Sequence, residues 1–260
     1  MPTSLKELTD AEAHNLEANT KNLGNSVELV NDFESVYEAL KPLISLPKGG
    51  VESDEVMAVM AIIHELEFCQ RQLTMSALTL LRAYQGDALL HLRRAIEAGA
   101  FAVRMSKHHE LCRLWWEAAK SDGSYRAYRD GFRPNDLFPN AKHPDHELIL
   151  SEVKLHYDQC SKVMHGSIFG VAGHFQHKDS TKLSPKLNFF DLPTNRSVFS
   201  VFYLIFDSHK KLLHLFEKIF EQYTRDRIAP WRVRLNAVEA KLAVHREHWR
   251  RFAPNPPSVE

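Results

Sequence analysis

The sequence predicts an all-α protein: a multi-helix bundle with a long antiparallel C-terminal helical hairpin and a small β-hairpin insertion. Three observations carry this. Val56, Val59, Ile63, Leu66, Gln70, Leu73, Ala77, Leu80 and Tyr84 recur at steps of three and four, the period of a helix of about nine turns. Two further runs do the same near the C-terminus. Only the stretch SIFGVAGHFQHKDSTKLSPKLNFFDLPTN lacks a helical period. At 260 residues, 44% hydrophobic and 25% charged, the chain has ordinary globular composition, and one domain over residues 1–252 with a real core is expected.

Residues 1–50 read as an N-terminal helical arm, with an acidic, weakly amphipathic helix over 4–22. A better one follows over 26–41, where Leu29, Val30, Phe33, Val36, Tyr37 and Leu40 share a face before Pro42 ends it. Central helices occupy 51–165. Ser53, Asp54 and Glu55 look like an N-cap and an acidic first turn for the nine-turn helix. Helices over 86–106, 108–119 and 145–165 follow, and residues 123–144 read as a loop with one short helix. Residues 166–194 form the β-hairpin, a cover that must lie on the helices because a hairpin alone is marginal. In the C-terminal hairpin of residues 195–252, Phe199, Phe202, Phe206, His209, Leu213, Phe216, Phe220 and Tyr223 make one seam. Ile228, Trp231, Leu235, Val238, Leu242, His245, Trp249 and Phe252 make the other. The short turn near 224–227 folds them antiparallel and sets His209 within about one helical turn of His245. The tail APNPPSVE, residues 253–260, should be disordered.

Composition excludes several classes. The longest apolar runs, VMAVMAII and VFSVFYLIF, fall far short of the roughly 20 residues a bilayer span needs. The opening MPTSLKELTDAEA has no apolar stretch of the secretory kind, so a cytoplasmic protein with no membrane association is expected. Cys69, Cys112 and Cys160 are odd in number and widely spaced, as buried free thiols would be. GxGxxG, GxxxxGK[ST] and HExxH are all absent, and no cofactor is implied. HPDH (143–146) and HFQH (174–177) place histidines three apart, but pairs of this kind arise by chance among 15 histidines, and no metal site is assigned.

Lys plus Arg equals Asp plus Glu at 33 each, so no overall field draws the chain to nucleic acid. The distribution is uneven. Residues 1–67 hold four lysines, no arginine and thirteen carboxylates, a net of −9, whereas residues 225–251 hold eight Lys or Arg against three carboxylates, a net of +5. This opposition can pack the two ends together, tie protomers together, or present a face for an anionic ligand.

The polar residues that periodicity leaves unexplained mark a candidate site. On the 86–106 helix, Leu89, Leu92, Ile96, Ala100 and Val103 lie on one arc and Leu90, Phe101 and Met105 on another, with Arg93, Glu97 and Arg104 between them. Ala95, Gly99 and Ala102 on the remaining side permit close approach of another helix. Arg93 and Glu97, at i and i+4, can pair. Arg104 has no acid on its own stripe, which leaves room for an anion, a ligand included. On the 145–165 helix, Tyr157 sits among Ile149, Leu150, Val153, Cys160 and Met164, while Ser161 and His165 drift toward the edge. His165 in the last turn before Gly166 gains from the helix dipole when protonated; beside Ser161 and Ser167 it can also act as a general acid or base or orient a phosphate.

With these residues the sequence resembles an uncharacterised group of all-helical bacterial proteins, a domain of unknown function. Their marks are an Arg-x-x-x-Glu pair in an apolar helix, here Arg93 and Glu97 in LRRAIEA, and a later Tyr-x-x-x-Ser-x-x-x-His-x-Ser helix. That pattern is here Tyr157, Ser161, His165 and Ser167 in YDQCSKVMHGS. A fainter similarity is to the HEPN helical domains of bacterial toxin and antiphage defence systems, whose ribonucleases use an Arg-x(4 to 6)-His motif. RMSKHH offers Arg104 and His109 at that spacing, near a helix end.

The resemblance implies a HEPN-like enzyme acting on RNA or a nucleotide. Arg93 and Glu97 would form an oriented ion pair, Arg104 and Ser167 would contact the ligand, Tyr157 and Ser161 would hydrogen bond, and His165 would titrate. The basic 225–251 helix would help to hold RNA. The alternative is a non-catalytic binding or assembly module in which the same residues are a structural polar network. In either case a homo-oligomer is expected, with a dimer favoured, because Trp249, Phe252 and the face of Val201, Ile205, Leu212, Leu215 and Ile219 exceed what one hairpin covers.

Overall fold

A computed structural model describes residues 4–48, 50, 53–164, 175–176, 186–187 and 195–252. Its helices are α1 (Leu5–Asn22), α2 (Gly24–Leu40), α3 (Asp54–Leu81), α4 (Gln85–Lys107), α5 (Leu111–Glu117), α6 (Asp122–Gly131), α7 (Pro134–Leu137), α8 (Leu148–Met164), α9 (Asn195–Ile219), α10 (Glu221–Thr224) and α11 (Ala229–Phe252). The described residues are predominantly helical. The described strand residues are Phe175–Gln176 and Lys186–Leu187, paired antiparallel with Phe175 opposite Leu187. Two residue pairs do not support a hairpin cover over the helices, and the rest of residues 166–194 lies outside the described residues.

Several boundaries differ from the sequence expectation for identifiable reasons. The long helix stops at Leu81 because Ala83 takes a left-handed φ of 69°, which turns the chain so that Tyr84 caps α4. Ser53 is the N-cap residue of α3 in extended conformation, but its side chain makes no capping bond; Ser4 and Ser121 do, accepting from the N–H groups of Glu7 and Ser124. Residues 123–144 hold two helices, not one. Tyr125, Tyr128 and Phe132 carry the helical spacing, and Tyr128 and Phe132 anchor α6 against Phe101 at centroid distances of 6.1 and 5.2 Å.

The first helix has no buried residue. It is fastened to the end of α3 by Asn19 Nδ2 donating to the Leu81 carbonyl at 2.7 Å and by the Tyr84 hydroxyl donating to Glu12 at 2.5 Å.

At the centre, α3 and α4 lie side by side, and α9 crosses the small-residue side of α4. A Cβ built on Gly99 would stand 2.4 Å from Leu212 Cδ2, so a side chain at this position would force Leu212 to move. Val201, Ile205, Leu212 and Leu215 are therefore buried within the chain, at 0–5% exposure. Of the apolar face expected to be surplus for self-association, these four are covered by the bundle itself and Ile219 is partly buried, which weakens that reason for a dimer. The side chains of Trp249 and Phe252 are outside the described residues.

Between α9 and α11, contacts run in opposite sequence order: Tyr203 with Arg246, His214 with Glu239, and Glu217 with Arg232. The acidic and basic ends of the chain also meet. Lys241 of α11 pairs with Asp32 of α2 at 2.6 Å, and Trp231 Nε1 donates to the Val36 carbonyl at 2.9 Å. Among the described residues, no helix is long and apolar enough to cross a membrane.

Candidate functional site

Two polar rungs tie α4 to the antiparallel α8 and to the segment just before it. At the first, Arg93 Nε is 3.1 Å from Glu97 Oε1, its Nη2 donates to the Tyr157 hydroxyl at 3.0 Å, and the guanidinium carbon lies 5.0 Å from the Tyr157 ring centroid. Phe138 covers the same ring at a centroid distance of 4.8 Å. Burial alone would lower the Arg93 pKa; the Tyr157 hydroxyl and the Glu97 carboxylate outweigh it and raise the value above that of an ordinary arginine. The pair is 20% and 31% exposed, so it is partly dry rather than buried. The cost of leaving Glu97 alone is correspondingly below the ~3–5 kcal/mol of a fully buried pair.

Ser161 lies one turn on, and its hydroxyl donates to the Tyr157 carbonyl at 2.9 Å, a back-bond that occupies the hydroxyl inside its own helix. Arg93, Glu97, Tyr157 and Ser161 thus share one neighbourhood. His165 and Ser167 fall outside the described residues.

The second rung gives Arg104 an acid. Arg104 Nη1 is 3.1 Å from Asp145 Oδ2, so the anion left open by the sequence is supplied from within the chain by the HPDH segment. His108 Nε2 joins the same oxygen at 2.7 Å, and Lys107 Nζ donates to the Asp145 carbonyl at 2.5 Å. The hydrogen bond from His108 holds the Asp145 carboxyl below the usual carboxylate range, against a smaller opposing effect of burial. Arg104 Nε is buried without a partner among the described residues. Beside this rung, a half-open cleft of about 280 Å³ lies between the C-terminal ends of α4 and α9. Val103, Leu215 and Ile219 line it together with Lys107, His109, Glu147 and Lys218. Lys218 is held by Glu147 at 2.8 Å.

Two buried polar groups escaped the sequence reading, and a third, His209, has a different partner from the one expected. Glu65 is 6% exposed and accepts from Trp115 Nε1 at 2.8 Å. Burial raises its pKa to about 7, opposed by the Trp115 bond. Its signal was a carboxylate placed at a core step between Ile62 and Cys69. The folded pKa lies above the unfolded value of 4.5, so this group's contribution is intact below pH 4.5 and is lost as pH rises through 7. Glu65→Gln keeps an acceptor for Trp115 and cannot ionise. Above pH 8 it should be more stable than the parent by about 3 kcal/mol, as read by urea unfolding at pH 6 and pH 8.5; equal stabilities at both would contradict this.

Asp207, Ser208 and His156 form the second group. Ser208 Oγ is 2.8 Å from His156 Nδ1, and Asp207 is 3.7 Å from Nε2 and 2.8 Å from Lys211 Nζ. The composition is that of a hydrolytic triad, but the serine is wholly buried and donates to the Leu204 carbonyl at 2.7 Å, which makes the group a strut between α8 and α9. The third group is His209, whose Nδ1 lies 2.8 Å from the Tyr37 hydroxyl. Its partner is therefore α2, not His245.

Among the described residues no three His, Cys, Asp or Glu side chains converge so as to hold a metal ion, and all three cysteines are buried and unpaired. No protein-family model, no curated protein and no solved structure matches this chain.

Proposed function

We propose that this chain is a helical binding or assembly module in which Arg93, Glu97 and Tyr157 form a structural polar network that holds α4 and α8 in register, while Ser161 is tied back into α8. One observation carries this reading: the guanidinium is divided between Glu97 on its own helix and Tyr157 on the facing one, and the Ser161 hydroxyl is bound to backbone. Groups so engaged act first on the helices that bear them. Arg93→Ala should lower unfolding free energy by about 2 kcal/mol, the sum of two charge-assisted bonds and a cation–π contact discounted for partial exposure. Chemical denaturation checks this. An Arg93→Ala variant as stable as the parent that has lost only ligand binding would overturn the reading.

A second reading, a HEPN-like enzyme acting on RNA or a nucleotide in a bacterial defence or toxin system, is favoured by the end of α4. There Arg104 and His109 keep the Arg-x(4)-His spacing, and His109 lines the cleft. It requires that the parent cleaves RNA and that His109→Ala or His165→Ala abolishes cleavage with the fold intact. A parent without nuclease activity ends it.

A further inference from the structure

The segment YRAYRDGFR repeats an aromatic–arginine pair three times, as Tyr125–Arg126, Tyr128–Arg129 and Phe132–Arg133. Steps of three and then four are helical, so the aromatics share one face and the arginines the neighbouring one. The structure divides them in that way. Tyr128 and Phe132 turn inward onto Phe101, and Gly131 sits so close to α5 that an added Cβ would stand 2.9 Å from Leu114 Cδ1. Arg126, Arg129 and Arg133 face outward and are exposed. At the head of the row Tyr125 is 53% exposed, its ring 6.2 Å from that of Tyr128.

These cations are available, whereas most of the described cations of residues 225–251 are engaged. In and just before α11, Lys241 is held by Asp32, Arg232 by Glu217, Arg227 by the Leu43 carbonyl, and Arg246 lies over Tyr203. Arg126 and Arg129 make no hydrogen bond or ion pair among the described residues. Arg133 pairs with its neighbour Asp130, at 2.9 Å in a pair 64% and 70% exposed, and also feels the Asp136 carboxylate; a stronger anion can displace so exposed a pair. Asp122 and Asp130 on the same helix moderate the positive potential, so the interaction is one of modest strength at low salt.

We propose that the outer face of α6 binds single-stranded nucleic acid, with Arg126, Arg129 and Arg133 on phosphates and Tyr125 stacked on a base. Arg126 and Arg129 lie about 4.5 Å apart along α6 and Arg133 follows just past its end, and each guanidinium can grip a phosphate through two parallel N–H groups. An exposed ring beside a cation row selects a strand whose bases are free to stack, not a closed duplex. The inward aromatics hold the helix rigid, so little order must be imposed on binding. This names a partner for the binding-module reading. That reading's own test, the stability of Arg93→Ala, is a quantity that the surface variants of α6 leave unchanged.

The test is fluorescence anisotropy of the full chain with a labelled oligouridylate of about 12 nucleotides, at about 50 and 200 mM salt. Arg126→Gln/Arg129→Gln/Arg133→Gln should weaken binding at least ~10-fold and flatten the log–log salt slope by about 2, the loss of three phosphate contacts. Tyr125→Ala should weaken it ~5-fold or more, while Tyr125→Phe, which keeps the ring, should not. Unchanged melting temperatures confirm that the folds match. The proposal falls if the parent fails to bind at about 100 µM protein in low salt, or if the triple variant binds like the parent. It also falls if polyglutamate competes as well as the oligonucleotide and Tyr125→Ala has no effect, since the face would then read acidic protein.

Discussion

Acidification below pH 6.5 is expected to destabilise the protein steeply through His209. The imidazole is wholly buried, with Nδ1 beside the Tyr37 hydroxyl and Nε2 without a partner among the described residues. Burial drives its pKa down from 6.5 to about 3. The folded state thus binds fewer protons than the unfolded one. Its full contribution is present above pH 6.5 and is lost as pH falls toward 3, at ~1.4 kcal/mol per pH unit, or about 4–5 kcal/mol over the window. His156, pushed down to about 4 by burial and Lys211 against the opposing pull of Asp207, adds to the same limb.

His209→Phe keeps a ring in the core and takes up no proton. At pH 7 it should cost about 1–2 kcal/mol for the orphaned Tyr37 hydroxyl, and near pH 4 it should be more stable than the parent. Urea titrations at pH 7, 5 and 4 would show the two curves crossing; parallel curves would rule out His209 as the acid-sensitive group.

Trp231→Ala should be the most damaging single truncation at neutral pH. Trp231 is 2% exposed and fixes α11 to α2 through its bond to the Val36 carbonyl. Removing it leaves a cavity that costs about 3–5 kcal/mol and gives up a buried hydrogen bond, about 1 kcal/mol more. Against a typical domain stability of about 5–15 kcal/mol, such a loss threatens folding at 37 °C. Trp231→Phe fills most of the space and forfeits the bond, so its cost should lie nearer 1–2 kcal/mol. Denaturant midpoints order the three proteins; an alanine variant within 1 kcal/mol of the parent would show that α11 is not held in this way.

Helical periodicity made the seams of α3, α9 and α11 legible, and the small residues Ala95, Gly99 and Ala102 announced that a helix would cross α4. Contacts far apart in sequence were not legible. Arg104 finds Asp145 and His209 finds Tyr37 through tertiary packing that a local pattern does not encode. The same limit explains the self-association expectation: Val201, Ile205, Leu212 and Leu215 look like surplus seam until α4 is laid on them. Residues 123–144 misled because Gly123, Gly131 and Pro134 punctuate like a loop, although Tyr125, Tyr128 and Phe132 already carried the period of α6. At the site, the Arg93–Glu97 pair followed from i, i+4 spacing, and its reach to Tyr157 needed the antiparallel placement of α4 and α8.

That reach is tested most directly by a double-mutant cycle on stability using Arg93→Met, Tyr157→Phe and the two together. A network that ties α4 to α8 predicts a coupling free energy of about 1 kcal/mol between the two sites. Additive effects, with coupling indistinguishable from zero, would mean that the guanidinium and the phenol stand side by side without holding the helices together.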